Sequence, residues 1–366
     1  MANSAAGRVV VLAAGGTGGH LFPAQALAEV LTVRGWRIVL ATDARVGGLA
    51  GDFPAVEHIA LAAATFRLGK PHTAITAGST ILRGVVQARR ALARIAPAVV
   101  VGFGGYPSLP ALLGALSAGR KTMIHEQNAV LGRANRLLAP RVNTVACGFP
   151  SLQKAPAGVA ARAVFTGNPV RPAIRALADR AYEPPGEALR LLVTGGSQGA
   201  RLLSQLVPAA VADLPEALRL RLSVQQQARA ENLEAAQRMY RDALVKAEVS
   251  PFFHDMAGRL AQAHLVIGRS GASTVSELAV VGRPSILVPL GIALDDDQGQ
   301  NAKVLADAGG AVILREADLS KSALTATIQA LLTDPSLLTA MAAAARSVAV
   351  TDAAERLATL VEQTAD

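Results

Sequence analysis

Short apolar runs recur along this chain, each ending in glycine or small polar residues and most of them leading into a stretch with helical spacing. That alternation predicts a parallel α/β protein, in which buried strands read as continuous hydrophobic runs and helices repeat every 3.6 residues. Arg8 to Ala14 is the first strand. It runs into G-G-T-G-G-H, Gly15 to His20, and a helix opening near Pro23 carries Ala26, Leu27, Val30 and Leu31 on one face. Ile38 to Ala41 is a second strand. Thr73 to Ile95 reads as a helix with apolar Ile75, Ile81, Leu82, Val85 and Val86. Ala98 to Val101 is a strand leading into F-G-G-Y-P-S, Phe103 to Ser108. Lys121 to Ile124 is another, ending in H-E-Q-N, His125 to Asn128.

The second half repeats the scheme. Leu189 to Thr194 is a strand running into G-G-S-Q-G-A, Gly195 to Ala200, an echo of the first loop. The echo predicts two Rossmann-like halves facing each other across a cleft, with G-N-P-V-R at Gly167 to Arg171, and Pro172, Pro184 and Pro185 after it, as the hinge. His264 to Ile267 is a strand, Ser270 to Thr274 a turn of small residues, and Val275, Leu278 and Ala279 mark a helix that Gly282 and Pro284 stop. Ser285 to Leu290 is a further strand. A polar loop, L-D-D-D-Q-G-Q-N-A, follows it, and Ser322 to Gln363 is helical and rich in Ala and Leu.

A glycine turn between a strand and a helix leaves backbone N–H groups converging at a positive helix end, which suits a phosphate. Glu277 lies on the first turns of one such helix, within reach of a bound nucleotide's sugar hydroxyls. The turns are neither of the two commonest nucleotide fingerprints. G-x-G-x-x-G is not satisfied from Gly16 onward, and the nearest P-loop candidate, Gly114 to Thr122, has its Lys one position late and leads into a strand. NAD-dependent and ATPase readings lose ground accordingly. The polar cluster at the end of the Lys121 strand stands where open α/β sheets bind ligands.

Composition narrows the classes. At 366 residues two domains are the default. Cys147 is the only cysteine, which rules out an internal disulfide and a cysteine-rich zinc site and fits a reducing compartment. A net charge of +9, from 36 Lys and Arg against 27 Asp and Glu, favours an anionic partner. Aromatics are only 3%, too few for the stacking platforms of single-stranded nucleic-acid binders. Ile95 to Gly119 is uncharged, but Pro97, Pro107 and Pro110 and its glycines break it into strand, turn and helix rather than a membrane span. Val9 to Ala14 is too short for the core of a signal peptide, so no export is expected. Arg67, Lys70, Arg83, Arg89, Arg90 and Arg94 around the Thr73 helix suggest contact with an acidic membrane.

Taken together, GGTGGH, GGYPS, HEQN, GNPVR, GGSQGA and SGAST-VSEL with its D-x-x-Q-x-x-NA loop resemble the MurG family of bacterial peptidoglycan glycosyltransferases, in that family's order and over nearly the whole chain. The resemblance implies a GT-B fold: an N-terminal acceptor and membrane-binding domain (1–170), a C-terminal donor domain (171–349), and a last helix (350–366) that packs back on the first. It implies inverting transfer of N-acetylglucosamine from UDP-N-acetylglucosamine to the C4 hydroxyl of lipid I, giving lipid II, with no metal or cofactor and no nucleic acid. It also implies a peripheral place on the cytoplasmic face of the plasma membrane, with anionic lipids and cell-division and cell-wall proteins as partners.

Carried over residue by residue, Ser197 and the amides of Ala272, Ser273, Thr274, Val275 and Ser276 bind the diphosphate. Arg171 and the segment around Phe253 frame the uracil, Glu277 binds the ribose and Gln298 the sugar hydroxyls. Thr17, Gly18, Gly19 and Asn128 reach the sugar. Gly16, Gly104, Gly105, Tyr106 and His125 serve the acceptor, and His20 and Glu126 are the catalytic candidates, with His125 weighed beside them. The chain departs from the family at Asp297, where many relatives place a second Gln. Two other classes compete: a UDP-N-acetylglucosamine 2-epimerase or hydrolase of the same architecture, and a non-catalytic basic protein that docks on membranes or nucleic acid.

Overall fold

The computed structural model describes residues 7–15, 18–43, 53–63, 71–196, 201–291 and 295–366, without the side chains of 71–77. The chain forms two compact units, Met1–Arg171 with Asp352–Asp366, and Pro172–Thr351.

The first unit runs β1 (Val9–Ala13), α1 (Gly18–Val33), β2 (Arg37–Thr42), β3 (Glu57–Ala60), α2 (Pro71–Ile95), β4 (Val99–Gly102), α3 (Ser108–Ser117), β5 (Thr122–Glu126), α4 (Arg133–Leu138), β6 (Thr144–Cys147), α5 (Ala157–Ala160) and β7 (Ala163–Phe165). Its seven strands are parallel, in the order β3-β2-β1-β4-β5-β6-β7. Along β1 the side chains alternate between faces. Val10 and Leu12 join one buried cluster, with α1 and Trp36, while Val11 and Ala13 join the other, with Leu92 and α3. Burial on both faces is why these strands read as unbroken apolar runs.

The second unit runs α6 (Pro172–Arg175), β8 (Leu189–Thr194), α7 (Arg201–Ala212), α8 (Glu216–Arg219), β9 (Leu222–Gln227), α9 (Leu233–Asp242), β10 (Lys246–Ser250), α10 (Met256–Gln262), β11 (Leu265–Gly268), α11 (Ala272–Val281), β12 (Ser285–Leu287), α12 (Asp297–Asp307), β13 (Ala311–Ile313), α13 (Lys321–Leu332) and α14 (Pro335–Ser347). Its six strands are parallel in the order β10-β9-β8-β11-β12-β13. The last helix, α15 (Ala353–Ala365), packs on α1 in the first unit.

Both sheets reverse their strand order at one place, between β1 and β4 and between β8 and β11. Loops leaving such a switch point diverge and open a crevice at the strands' carboxyl ends. The four motifs Gly15–His20, Phe103–Ser108, Gly195–Ala200 and Gly268–Thr274 leave these four strand ends.

Several boundaries differ from the sequence reading. α1 begins at Gly18 and keeps Pro23 inside it, so Gly18, Gly19 and His20 form its first turn rather than a loop. The proline removes the bond to the Gly19 carbonyl, and Gly19 is exposed, so water can satisfy that oxygen. β5 continues through His125 and Glu126. β12 ends at Leu287, close to Pro289, which has no N–H to offer a ladder. The polar loop after it becomes helical at Asp297, placing Gln298 on the first turn of α12. The long C-terminal helix is three helices, broken at Thr333–Asp334 and at Val348–Asp352. Among the described residues no single helix is long and apolar enough to cross a membrane.

Candidate functional site

In the first unit three motifs meet around His20. The imidazole stands against the Gly104–Gly105 turn: a Cβ on Gly105 would lie 3.2 Å from His20 Cδ2 and 3.4 Å from Nε2. Both glycines have positive φ, 80° and 72°, so backbone conformation and ring packing make the same demand there. Gly15 approaches Pro107 so closely that a Cβ would fall 2.3 Å from its Cγ, which locks the first glycine turn onto the second.

The H-E-Q-N residues lie behind the ring. His20 Nδ1 is 3.1 Å from Gln127 Oε1, and Gln127 Nε2 is 3.1 Å from His125 Nδ1 and 3.1 Å from the His125 carbonyl. His125 is 0% exposed; its Nε2 lies 3.1 Å from the Gly167 carbonyl, and Phe103 packs on the ring. Burial pushes the His125 pKa down to about 4, against a smaller upward pull from the Gly167 carbonyl, so the ring is neutral. Asn168 Nδ2 donates to the Gln127 carbonyl at 2.9 Å. G-N-P-V-R, read from sequence as a hinge, therefore also braces the H-E-Q-N segment.

Glu126, a catalytic candidate from sequence, is 2% exposed and already committed. Its Oε1 accepts from the Asn128 amide (3.0 Å) and from Asn128 Nδ2 (3.2 Å); its Oε2 accepts from the Gly132 amide (2.9 Å) and from Asn135 Nδ2 (2.8 Å). A buried carboxylate taking four donors organises the turn into α4 and has no lone pair turned toward a substrate proton. His125, also proposed for the acceptor, is buried with both ring nitrogens engaged within the protein. Tyr106 is half-buried on the Gly104–Gly105 turn. Arg171 holds its guanidinium 5.2 Å from the Phe22 ring of α1.

In the second unit the β8 and β11 ends adjoin: Gly268 pairs with Thr194, and a Cβ on it would lie 3.1 Å from the Thr194 side chain. Thr194 Oγ1 bonds Gln227 Oε1 at 3.2 Å, and Gly196 takes a φ of 74°. Gly271 precedes α11 as its N-cap, and its missing side chain leaves the helix without a side-chain cap, with the first-turn amides of Ala272, Ser273 and Thr274 at the strand ends. Val275 is buried in the helix base, while Ser276 and Glu277 are half-buried. Ser270 Oγ donates to the Gln298 carbonyl (2.8 Å) and Asn301 Nδ2 to the Ser270 carbonyl (3.2 Å), which fastens the start of α12 to the α11 turn. Gln298 Oε1 accepts from the Leu290 amide at 3.1 Å, which turns its amide nitrogen the other way. Asp296, in the acidic run, sits at φ 52° and pairs with Arg315 at 3.1 Å.

Phe253 is buried, with the Arg259 guanidinium 3.8 Å from its ring centroid; Arg259 in turn grips Glu248 through both carboxylate oxygens. The exposed aromatic of this segment is Phe252, edge-on to His254. Gly16, Thr17 and Ser197 lie outside the described residues, as do Arg67 and Lys70 and the side chain of Ile75.

Two residues that the sequence reading gave no role join the site. Gln127 was visible only as a letter of H-E-Q-N, and Asn135 sits on α4 with no local signal; its Oδ1 is buried without a partner among the described residues.

The chain matches the glycosyltransferase family 28 N-terminal domain over residues 10–147 and the family's C-terminal domain over 190–357. A protein of Phenylobacterium zucineum named UDP-N-acetylglucosamine--N-acetylmuramyl-(pentapeptide) pyrophosphoryl-undecaprenol N-acetylglucosamine transferase is 64% identical over 360 residues, 98% of this chain and 99% of that protein. The protein of that name from Caulobacter vibrioides is 62% identical over 358 residues, again covering 98% and 99%. The crystal structure of Acinetobacter baumannii MurG superposes with a TM-score of 0.79 at 32% identity, covering 97% of this chain and 99% of that one. A putative UDP-N-acetylglucosamine 2-epimerase of Listeria monocytogenes shares the fold at a TM-score of 0.69 and 16% identity, covering 99% and 98%.

Proposed function

The chain belongs to glycosyltransferase family 28, in its MurG group with the GT-B fold, and from that membership we propose that it transfers N-acetylglucosamine from UDP-N-acetylglucosamine to the C4 hydroxyl of lipid I, giving lipid II. The observation that carries this reading is the 64% identity over 98% of the chain, which spans both glycine-turn sets. The epimerase likeness, at 16% identity, supports the fold alone.

The chemistry follows an inverting displacement. The acceptor hydroxyl oxygen attacks the anomeric carbon from the face opposite the diphosphate, the C1–O bond to UDP breaks with its electron pair going to UDP, and the hydroxyl proton passes to a base. His20 is that base: Nδ1 is spoken for by Gln127, and Nε2 lies beside the Gly104–Gly105 turn. Histidine matches proton transfer near neutral pH. The first-turn amides of α11, with Ser197, take the charge of the leaving diphosphate, so the helix end does electrostatic work that a metal performs elsewhere. Glu277 accepts from the ribose hydroxyls, and the Gln298 amide nitrogen donates to the sugar.

The enzyme works at an anionic bilayer. Leu82 (65% exposed) and Val86 (41%) stand on the outer face of α2 with exposed Arg83, Arg89 and Arg90, which supports docking on acidic lipid.

Incubation with labelled UDP-N-acetylglucosamine and a short-chain lipid I analogue tests the reading. The expected products are UDP and a disaccharide-bearing lipid, formed only when acceptor is present and unaffected by EDTA. Free sugar or its 2-epimer released without acceptor would replace the transferase reading with the epimerase one.

A further inference from the structure

The hydrogen bonds behind His20 form one chain whose direction is fixed by carbonyl oxygens. The Gly167 carbonyl only accepts, so His125 Nε2, 3.1 Å away, carries the proton. The neutral ring then has its lone pair on Nδ1, which must accept from Gln127 Nε2 at 3.1 Å. The His125 carbonyl, also 3.1 Å from Gln127 Nε2, fixes the amide orientation independently. With its nitrogen turned to His125, Gln127 presents Oε1 to His20, and His20 Nδ1 must donate to it at 3.1 Å. Asn168 pins the backbone of Gln127 through its carbonyl, so the amide cannot swing away as a unit with its loop.

We infer that Gln127 is a positioning residue: it sets the tautomer of His20, holding the proton on Nδ1 so that Nε2 carries the lone pair. The inference rests on the reading of His20 as base and deepens it. The residue type is demanded by its two neighbours. A primary amide accepts from one imidazole and donates to the other at once; a carboxylate cannot donate to His125 Nδ1, and an ammonium cannot accept from His20. Gln127 is itself buried, so each of these bonds is made out of water, where a lost partner leaves an unsatisfied polar group. The same logic governs the hydrogen-bonded orienting group of other catalytic histidines, whose loss yields the wrong tautomer with the ring still in place.

The test reads the tautomer directly. Long-range 1H–15N correlation spectra of the 15N-labelled full chain at about pH 8, above the ordinary histidine range, resolve the six histidines, with His20 assigned by its absence in His20→Gln. Wild-type His20 is expected as the Nδ1–H tautomer and His125 as the Nε2–H tautomer. In Gln127→Met, close in volume but with neither bond, His20 should shift toward Nε2–H, and kcat should fall about 10- to 100-fold with KM for UDP-N-acetylglucosamine within about two-fold. Wild-type His20 in the Nε2–H form overturns the inference without any variant, as does a Gln127→Met enzyme with unchanged kcat. The spectra need no substrate, so a wild-type chain that fails to transfer sugar to lipid I would discard the functional reading and leave the tautomer result standing.

Discussion

Neighbouring residues on one buried strand take opposite parts here. Glu126 accepts from four donors, and burial keeps the His125 ring neutral against the smaller opposing pull of the Gly167 carbonyl. Changing Glu126 to Gln puts an N–H group where donors already point, and an unsatisfied buried group costs about 1–3 kcal/mol, more when the partner was charged. Glu126→Gln should therefore lower the melting temperature by several degrees. A normal melt with kcat lost would return the role of base to Glu126. The buried histidines set an acid limit. Burial also pushes His264 down to about 4, and its Nδ1 accepts from the Arg190 amide. Between the ordinary value of 6.5 and about 4 the unfolded chain binds protons that these rings refuse, so stability is full above that window and falls as pH drops through it. Melts across this range should show a steep acid slope, shallower in His264→Gln. Identical slopes would mean that His264 is not the group responsible.

At the scale of the element, α2 shows one apolar stripe serving two faces. Ile81 packs toward the β-sheet cluster with Leu92 and Ala88, whereas Leu82 and Val86, four apart, face outward among arginines. Arg94 is drawn off to an ion pair with Glu57. On α4, Arg136 turns inward to the Leu131 carbonyl at 2.8 Å, and Arg133 is exposed next to exposed Leu137. Replacing Leu82 and Val86 by Ser should weaken flotation with anionic vesicles and leave the melt unchanged, since neither side chain is in the core. Each of Arg89 and Arg90, changed to Ala, should weaken binding about five-fold, for about 1 kcal/mol per basic residue near an anionic surface, and less in high salt. Undiminished flotation of the double Ser variant would move the membrane face elsewhere.

At the scale of the molecule, the chain's last helix completes its first unit. Leu357, Ala358 and Val361 of α15 lie in the cluster built by β1, α1 and Trp36. Around them Glu362 pairs with Arg34 at 2.7 Å and accepts from Trp36 Nε1, and Thr364 bonds Thr144 at 2.8 Å. Burying a Leu or Val side chain contributes about 1.5–3 kcal/mol, so a chain ending at Thr351 loses a large share of a stability of only about 5–15 kcal/mol. Calorimetry of that truncation should show the first unit melting well below wild type; an unchanged trace would make α15 an ornament of the surface.

The hydrophobic pattern by itself determined the parallel α/β class, the echo of two glycine-turn halves and the motif set, because buried parallel strands and glycine turns leave their mark in local sequence. What it could not determine is anything fixed by partners far along the chain. His125 and Glu126 look like free polar groups at a strand end; only packing against Gly167, Asn135 and Gln127 turns them into braces. His20 reads as the end of a loop, and it is the helix start at Gly18 and the Gly104–Gly105 turn that set its ring in place. Gln298 reads as a loop residue until Ser270 and Leu290 fasten it to the first turn of α12. Hydrogen-bond direction and burial depend on what stands opposite a side chain in space, and a linear sequence carries no record of that.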